Sequence, residues 1–263
     1  MSNRGPNEKI SVCIICGNEI NNIERCLKSV TWADEIVVID SYSTDGTFDV
    51  AKRYTNRVYR HEWMGYIGQK KLLASMANGP WLLFVDADEE VSPQLRKEIE
   101  EKFSKPLPPD LHGFNCPRLV HYLGRWIWHG DWYPDMKLRL FLKTFGECGG
   151  NEPHDRVFVT GKVANLNGPL NHYTYTDISD QIRQINRFSS ISAKTHSSNR
   201  GSIFRLLFHP LFRFLKCYFF KRGFMDGVPG LIIAVNVAFG TFAKYSKHWE
   251  LHQQKAMQDS AEE

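Results

Sequence analysis

Three short, almost entirely apolar runs near the N-terminus restrict the fold of this chain more than any other feature. They cover residues 10–15, 36–39 and 81–85. Uninterrupted apolar runs of this kind are typical of parallel strands that are covered on both faces. Segments with apolar residues at helical spacing separate the runs. This alternation of strand and helix predicts an open, mostly parallel α/β sheet flanked by helices.

Helices are predicted on both sides of these strands. Apolar residues recur at helical spacing over residues 20–30, and residues 47–54 and 68–77 are also expected to be helical. Ser92 and Pro93 predict a further helix start, with a capping side chain followed by a proline in the first turn. The first part of the chain therefore contains enough helices to cover both faces of a sheet.

The cysteines and the N-terminus indicate a cytosolic setting. The six cysteines show no paired pattern, which favours a reducing compartment. Cys13 and Cys16 form a CxxC, but both fall inside a predicted strand, where residues three apart face opposite sides. We therefore predict buried thiols rather than a metal or redox site. Residues 1–9 are polar, so we expect a disordered terminus and no secretory signal there.

Acidic residues follow each of the three apolar runs. Glu19, Asp40, Asp86 and Asp88 are predicted to meet beyond the carboxyl ends of the strands, where open α/β sheets bind ligands. Like charges gathered in this way repel one another and raise each other's pKa. A divalent cation would remove the conflict, and Mg²⁺ and Mn²⁺ prefer carboxylate oxygens and commonly share substrate phosphates. A solvated loop is the simpler alternative, but the strand-terminal positions favour a metal.

Three stretches of the chain resemble the signature stretches of glycosyltransferase family 2. They are residues 10–19, residues 37–41 with 43–47, and residues 84–89. Later segments resemble one subgroup of that family, the bacterial lipopolysaccharide core-biosynthesis β-glucosyltransferases: Trp132-Tyr133-Pro134-Asp135, Arg139-Leu140-Phe141, His154-Asp155 and Leu170-Asn171-His172-Tyr173. The resemblance covers roughly residues 10–250, and the N-terminal motifs are its most specific part.

The resemblance implies a GT-A fold, which is a Rossmann-like open mixed sheet flanked by helices, and a role for each matching residue. Asp40 would hold the uracil of the donor, and Asp86 would lie near the ribose. Asp88 would ligate the metal that bridges the donor diphosphate, and His172 could complete the metal or phosphate shell. The other residues expected to contact the nucleotide-sugar are Glu19, Ser43 and Asp45.

Three basic residues are further candidates for contacting the donor or the acceptor. Lys70 matches a basic position of the family and could neutralise phosphate, although a solvated helical lysine is equally consistent with the sequence. Arg139 could clamp the acceptor or a phosphate with its fork of donors, or simply pack against Asp135. Arg187 lies in a near match to the Gln-x-x-Arg-Trp of processive synthases, with Phe in place of Trp, and is expected to face the diphosphate.

An inverting transferase also needs a general base for the acceptor hydroxyl, opposite the leaving diphosphate. The family places a carboxylate just after a histidine in the middle segment, and here that residue is Asp155. The usual residue in the family is Glu, so the shorter Asp leaves the nearby Glu152 as a rival. The simpler interpretation of Asp155 is an ion pair with Arg156.

The C-terminal segment is basic and aromatic. From Arg183 to His248 there are eleven Lys and Arg residues and one acid, Asp226. Arg205, His209, Arg213 and Lys216 fall on one stripe of a predicted helix among apolar residues, as in helices that lie at a membrane interface. The uncharged residues 227–243 are at the short limit for a membrane span, so we predict a packed or interfacial helix.

Four regions follow from these patterns. They are a disordered N-terminus (1–9), a GT-A catalytic domain (10–176), a helical membrane-associating region (177–250) and a polar tail (251–263).

The residues and the resemblance together predict an inverting, metal-dependent transferase that moves a hexose, glucose by resemblance, from a UDP-sugar to a lipid-linked oligosaccharide. The expected acceptor is the lipopolysaccharide inner core, at the inner face of the bacterial cytoplasmic membrane. The expected cofactor is Mn²⁺ or Mg²⁺, and nucleic acid is not an expected partner. Transfer to a polyprenyl phosphate, a sugar nucleotidyltransferase and a non-catalytic membrane or nucleic-acid binder remain alternatives. The last of these leaves Asp40 and Asp88 unexplained.

Overall fold

The three apolar runs form neighbouring parallel strands in the computed structural model, which describes residues 8–152, 154–195 and 203–262. Residues 1–7 of the predicted disordered terminus lie outside the described residues. The strands are β1 (Ile10–Cys16), β2 (Glu35–Asp40), β3 (Val58–Arg60), β4 (Trp81–Asp86), β5 (Glu89–Val91), β6 (Leu111–Tyr122), β7 (Arg125–Ile127), β8 (Asp135–Leu142), β9 (Gly146–Asn151), β10 (His154–Val159), β11 (Lys162–Asn165) and β12 (Leu170–His172). The helices are α1 (Ile23–Ser29), α2 (Thr47–Lys52), α3 (Gly65–Met76), α4 (Pro93–Lys102), α5 (Ile178–Thr195), α6 (Ile203–Leu215) and α7 (Gly227–Glu262).

The chain divides into two compact units. The first contains the described residues up to Leu119 together with Asp135–Tyr173, and the second contains Val120–Pro134 together with the described residues from Thr174 onward. The second unit therefore includes one segment from the middle of the chain, and that segment begins within β6.

The main sheet has the order β3-β2-β1-β4-β8-β6-β12-β5, and β11 also pairs with β6. Its first four strands are parallel, whereas β8 is antiparallel to both β4 and β6. The predicted open mixed sheet flanked by helices is confirmed, but the narrower expectation of a mostly parallel sheet is wrong. The segment after α4 contributes strands joined by loops, and antiparallel strands need no crossover helix.

Two hydrophobic clusters hold the helices of the first unit against the two faces of the sheet. Successive residues of β1 belong to opposite clusters, as a period of two requires. Cys13 lies in the cluster that contains Leu73 of α3, and Cys16 lies in the other cluster with Leu27 of α1. Both thiols are free and buried, as predicted. Ser92 caps α4 by accepting a hydrogen bond from the N–H of Leu95 (3.1 Å).

The second unit is built around α7, on which both α5 and α6 pack. Its core contains Tyr122 and Ile127 from the middle segment and Ile233 and Ala234 from α7. A π-helical turn, Lys216–Phe220, and a 3-10 turn, Gly223–Asp226, precede α7.

A buried polar contact joins the elements of this second unit. Gln181 accepts hydrogen bonds from the Tyr122 hydroxyl and from the Asn236 amide, both at 2.5 Å. Because each of these side chains is buried, the contact satisfies polar groups that water does not reach. The three residues belong to β6, α5 and α7, so the contact sets the position of two helices against the end of the strand.

Candidate active site

The ends of β2 and β4 lie side by side with the end of β1. In the parallel ladders Cys16 pairs with Asp40, and Ile15 pairs with Asp86. The acidic residues that follow these strands therefore occupy one edge of the sheet, as the sequence predicted. A shared edge is the place where an open α/β sheet binds its ligand.

Asp45 joins the loop after β1 to the loop after β2. Its carboxylate accepts hydrogen bonds from the N–H groups of Ile20 (3.0 Å) and Thr47 (3.0 Å) and from the Thr47 hydroxyl (2.6 Å). The Thr47 hydroxyl in turn accepts the N–H of Glu19 (2.8 Å). Burial opposes the effect, but these hydrogen bonds lower the pKa of Asp45. In this structure Asp45 organises the two loops.

Asp40 and Ser43 meet at the end of β2. The Asp40 side chain is 0% exposed and accepts hydrogen bonds from the N–H (3.0 Å) and the hydroxyl of Ser43. The Ser43 hydroxyl also accepts the N–H of Asn18 (2.8 Å), which lies in the loop after β1. The Cys16 thiol also lies 3.7 Å from Asp40 Oδ1, and the Arg60 guanidinium lies 3.9 Å from Oδ2.

Asp86 is held by two cations on neighbouring elements. Arg139 of β8 donates to Asp86 Oδ2 (2.7 Å), and the ammonium of Lys70 on α3 lies 3.0 Å from Asp86 Oδ1. Burial alone would raise the pKa of Asp86, but Arg139 and Lys70 outweigh burial and hold it well below its usual range. Asp86 is therefore a carboxylate throughout the physiological pH range.

The same two cations extend the contacts into an alternating network of charges. Arg139 also donates to Glu89 (2.6 Å), and Lys70 donates to Asp155 (2.9 Å). Arg118 lies 3.8 Å from Glu89 and binds Asp135 at 2.7 Å. We call this set the charge network; its members are Asp155, Lys70, Asp86, Arg139, Glu89, Arg118 and Asp135.

Two alternatives from the sequence are settled by these contacts. Lys70 is 3% exposed and is therefore not a solvated helical lysine. Arg139 packs against Asp86 and Glu89 rather than against Asp135, which is the partner of Arg118. Asp135 is near Arg139 in the sequence and on the same strand, whereas the actual partners come from β4 and β5.

Asp88 and His172 also meet, because β12 pairs antiparallel with β5 immediately after the Asp-x-Asp. Asp88 Oδ2 lies 3.1 Å from His172 Nε2. The pKa of Glu19 is raised, first by burial and then by the charges of Asp88, Asp45 and Asp86, although a hydrogen bond from Asn22 opposes this.

Asp88 and His172 could supply part of the coordination shell of a cation, with a substrate supplying the rest. Within residues 8–152, 154–195 and 203–262, no three or more His, Cys, Asp or Glu side chains are grouped so that they could hold a metal ion. In the same part of the chain the buried Nδ1 of His172 has no hydrogen-bond partner. The Asp88 carboxylate suits Mg²⁺ or Mn²⁺ when phosphate oxygens and water fill the other positions, whereas an imidazole is a ligand that Mg²⁺ rarely takes. The two residues do not suit a site made by protein ligands alone.

The two base candidates have different surroundings. Glu152 Oε1 accepts the N–H of Ile67 (2.9 Å) in the first turn of α3, so Glu152 acts as a cap for that helix. Among the described residues Asp155 pairs with Lys70 and not with Arg156, and its side chain is 18% exposed. Asp155 is thus the candidate that the charge network connects to Asp86.

Arg187 belongs to α5 of the second unit, where its side chain is exposed. Its contact with a diphosphate remains a prediction.

Glu89 and Arg118 are members of the charge network that were not predicted from the sequence. Glu89 directly follows Asp88 and is 0% exposed, which is rare for a glutamate unless it is paired. An acidic residue next to an Asp-x-Asp is equally consistent with a solvated loop, so the sequence does not indicate that Glu89 is buried. Only the pairing of β5 with β12 and the approach of Arg139 show that Glu89 is a buried structural anion.

A cavity of about 500 Å³ lies beside α1 and the start of α4, and its lining includes Arg25, Lys28 and Arg96. None of the predicted site residues lines it. The candidate site is therefore the edge of the sheet and not this cavity.

Comparison with known proteins gave one family. Residues 11–158 match the family model of glycosyl transferase family 2. An uncharacterized glycosyltransferase of Rickettsia prowazekii is 34% identical over 258 residues, which cover 91% of this chain and 86% of the relative. The lipopolysaccharide core biosynthesis glycosyltransferase LpsC of Rhizobium meliloti is 28% identical over 260 residues, which cover 95% of this chain and 96% of the relative.

A solved structure of the mannosyltransferase PcManGT from Pyrobaculum calidifontis, in complex with GDP-Man and Mn²⁺, is 15% identical with a TM-score of 0.49. The alignment covers 97% of this chain and 83% of that chain.

The charge network predicts a large effect of removing Arg139. Arg139→Leu leaves the fully buried Glu89 without its nearest cation, and breaking a buried ion pair in this way costs roughly 3–5 kcal/mol. Urea unfolding should show this loss. Arg96→Leu removes an exposed pair with Glu100 on α4 and should change the unfolding free energy by less than about 0.5 kcal/mol. Equal effects of the two variants would contradict the assigned role of Arg139.

Proposed function

The chain belongs to glycosyl transferase family 2 and is a glycosyltransferase, and we propose that it is an inverting, metal-dependent hexosyltransferase that uses a UDP-sugar. The placement of Asp40 and Asp86 on one edge of the main sheet, with Asp155 joined to Asp86 through Lys70, carries this proposal. A donor nucleotide and a base for the acceptor hydroxyl are both needed for transfer, and this edge offers groups for each.

We propose that the lipopolysaccharide inner core is the acceptor and glucose the sugar. The relative from Rhizobium meliloti is named for lipopolysaccharide core biosynthesis, and it aligns over nearly the whole of both chains. An acceptor of this kind is a lipid-linked saccharide, so the enzyme would work at the inner face of the cytoplasmic membrane.

The donor would lie across the edge formed by β1, β2 and β4. Asp40, with Ser43 beside it, would accept a hydrogen bond from the uracil, and Glu19 would lie next to the nucleotide. Asp86, which its cations keep ionised, would accept a hydrogen bond from the ribose. Asp45 would act indirectly, by holding the two loops that carry these side chains.

Asp88 and His172 would hold the divalent cation. Once bound, such an ion neutralises the negative charge that builds up on the leaving diphosphate. The contribution of this chain is to place one carboxylate and one imidazole 3.1 Å apart at the end of the donor strand. The expected cation is Mn²⁺ or Mg²⁺, since both accept oxygen ligands from a substrate.

Asp155 would act as the general base. Its carboxylate would take the proton from the acceptor hydroxyl as that oxygen attacks the sugar carbon from the side opposite the diphosphate, which inverts the configuration. Glu152 is already used to cap α3, which favours Asp155 for this role.

The second unit presents the surface that we propose for the membrane. No residue of α6 is buried, and the exposed apolar side chains include Phe204, Leu207, Phe208, Leu211 and Phe212. Arg205 of α6 and Lys216, which directly follows α6, add positive charge. Each basic residue near an anionic bilayer contributes about 1 kcal/mol to membrane binding.

The helix that follows could also contact lipid. By length and composition alone Gly223–Gln254 could cross a membrane. Its most apolar 18-residue stretch has a mean hydropathy of 1.5, and 28% of that stretch is buried. We propose that the region lies at the interface, because α5 and α6 pack along α7.

The first prediction from the proposed function tests the donor site. The wild-type protein should release UDP from a UDP-sugar with Mn²⁺ or Mg²⁺, and should leave GDP- and TDP-sugars largely intact. Asp88→Ala should lower turnover about a thousandfold or more, since metal stabilisation of charge is worth several kcal/mol. Asp49→Ala, an exposed carboxylate on α2, is the control. Full activity of Asp88→Ala with a native circular dichroism spectrum would end the metal proposal.

A second prediction separates the two base candidates. Asp155→Asn should bind UDP as tightly as the wild type and transfer sugar about 10²- to 10⁴-fold more slowly, the usual contribution of a general base. Glu152→Gln should keep a rate within a few fold of the wild type. The reverse pattern in steady-state assays would show that Glu152 is the base.

A third prediction tests the membrane surface with matched phenylalanines. Phe212 of α6 is 57% exposed, and Phe158 of β10 in the first unit is 55% exposed. Phe212→Glu should weaken binding to vesicles of phosphatidylethanolamine and phosphatidylglycerol in a flotation assay, and Phe158→Glu should not. Equal binding of both variants and the wild type would argue against α6 as the membrane surface.

A further inference from the structure

Lys70 is a buried cation in the middle of α3. Its ammonium lies 3.0 Å from Asp86 Oδ1 and 2.9 Å from Asp155 Oδ2. Burial by itself would lower the pKa of Lys70, but Asp86 and Asp155 more than offset this, so the pKa is raised and the side chain stays charged. One ammonium therefore bridges two carboxylates that come from different sheets.

The two carboxylates are proposed to serve different substrates. Asp86 ends β4 of the main sheet, on the proposed donor side, whereas Asp155 lies on β10 and is the proposed base for the acceptor. The strands β9 and β10 form a separate two-stranded sheet. No ladder hydrogen bonds between the described strands join that hairpin to the main sheet. Its position is set by hydrophobic packing of Cys148 and Val157 in the cluster with Leu73 and by polar contacts with α3.

The helix α3 provides those contacts at two points. Lys70 binds Asp155, and the N–H of Ile67 donates to Glu152 at the tip of the same hairpin. The neighbouring Gln69 donates to the Ser41 hydroxyl (3.1 Å) in the loop after β2. Successive residues of α3, Gln69 and Lys70, thus contact the loop after β2 and the hairpin of β9 and β10 that carries Asp155.

Lys70 is badly placed to bind a phosphate directly. It is 3% exposed and both of its close partners are carboxylates. A donor phosphate would have to replace one of these anions, and breaking a buried pair of this kind is strongly unfavourable.

We propose that Lys70 is a positioning residue. Its ammonium holds the Asp155 carboxylate close to Asp86, which lies on the proposed donor side, and it does not bind the donor. This inference rests on the role proposed above for Asp155. It predicts that loss of Lys70 impairs the transfer step and leaves nucleotide affinity unchanged.

The test compares Lys70→Met, Lys70→Arg and Lys71→Met. Lys71 is the exposed neighbour of Lys70 and supplies a matched loss of one positive charge. Nucleotide affinity is measured by calorimetric titration with UDP and Mn²⁺, and kcat and KM are measured with saturating acceptor. Lys70→Met should lower kcat about a hundredfold, with the Kd for UDP and the donor KM within about twofold of wild type. Lys70→Arg should recover part of kcat, and Lys71→Met should resemble the wild type.

If Lys70 contacts a donor phosphate instead, its loss should weaken UDP binding and leave kcat unchanged. A tenfold or greater rise in the Kd for UDP, with kcat preserved, would overturn the proposal. The double variant Lys70→Met/Asp155→Asn gives a second criterion: if Lys70 acts through Asp155, the double variant is no slower than Asp155→Asn alone. Multiplying losses would show that Lys70 acts independently, which also contradicts the proposal.

Two controls separate this inference from the proposed function. If Asp155→Asn transfers sugar at the wild-type rate, the base assignment fails and the role of Lys70 fails with it. If Asp155→Asn is impaired and Lys70→Met is not, only the role of Lys70 fails. Should Lys70→Met not fold, Lys70→Arg carries the test, because its longer, planar group should misplace Asp155 and lower kcat without changing the Kd for UDP.

Discussion

Charge compensation at the carboxyl edge of the sheet is the condition on which this site depends. Asp86, Glu89 and Asp155 approach one another closely enough that they would repel if they were left alone. Lys70 and Arg139 lie between them and offset that repulsion, because each cation contacts two of the carboxylates. The acidic groups proposed for the donor and the acceptor can therefore coexist in a largely buried setting. Buried ion pairs add little net stability, so their value here is the arrangement they impose.

The two halves of the first unit differ in how far local sequence determines them. The strands β1, β2 and β4 and the cap at Ser92 are visible as apolar runs and local capping signals. The pairing of β8 with β4 and β6 depends on contacts between residues far apart in the chain. The parallel core and its acidic edge were therefore predictable, and the antiparallel extension was not.

The same distinction applies to individual side chains of the site. Asp40, Asp86 and Asp88 follow apolar strands, so their common edge could be inferred from the sequence. The partners of Lys70 and Arg139 could not, because a cation on a helix or strand reveals neither its burial nor the anions that other elements bring to it. Glu89 shows the limit most clearly, since an acidic residue beside an Asp-x-Asp is ordinarily solvated, and here it is enclosed.

The hydrogen bonds of Asp45 bear on the cost of binding a nucleotide. By accepting the N–H groups of Ile20 and Thr47, this side chain ties two loops into a single framework before any ligand arrives. Flexible loops lose conformational entropy when they close on a ligand, and that loss is subtracted from affinity. Loops that are already ordered incur little of it. Contacts to the nucleotide can then contribute to affinity almost undiminished, although Asp45 itself need never touch it.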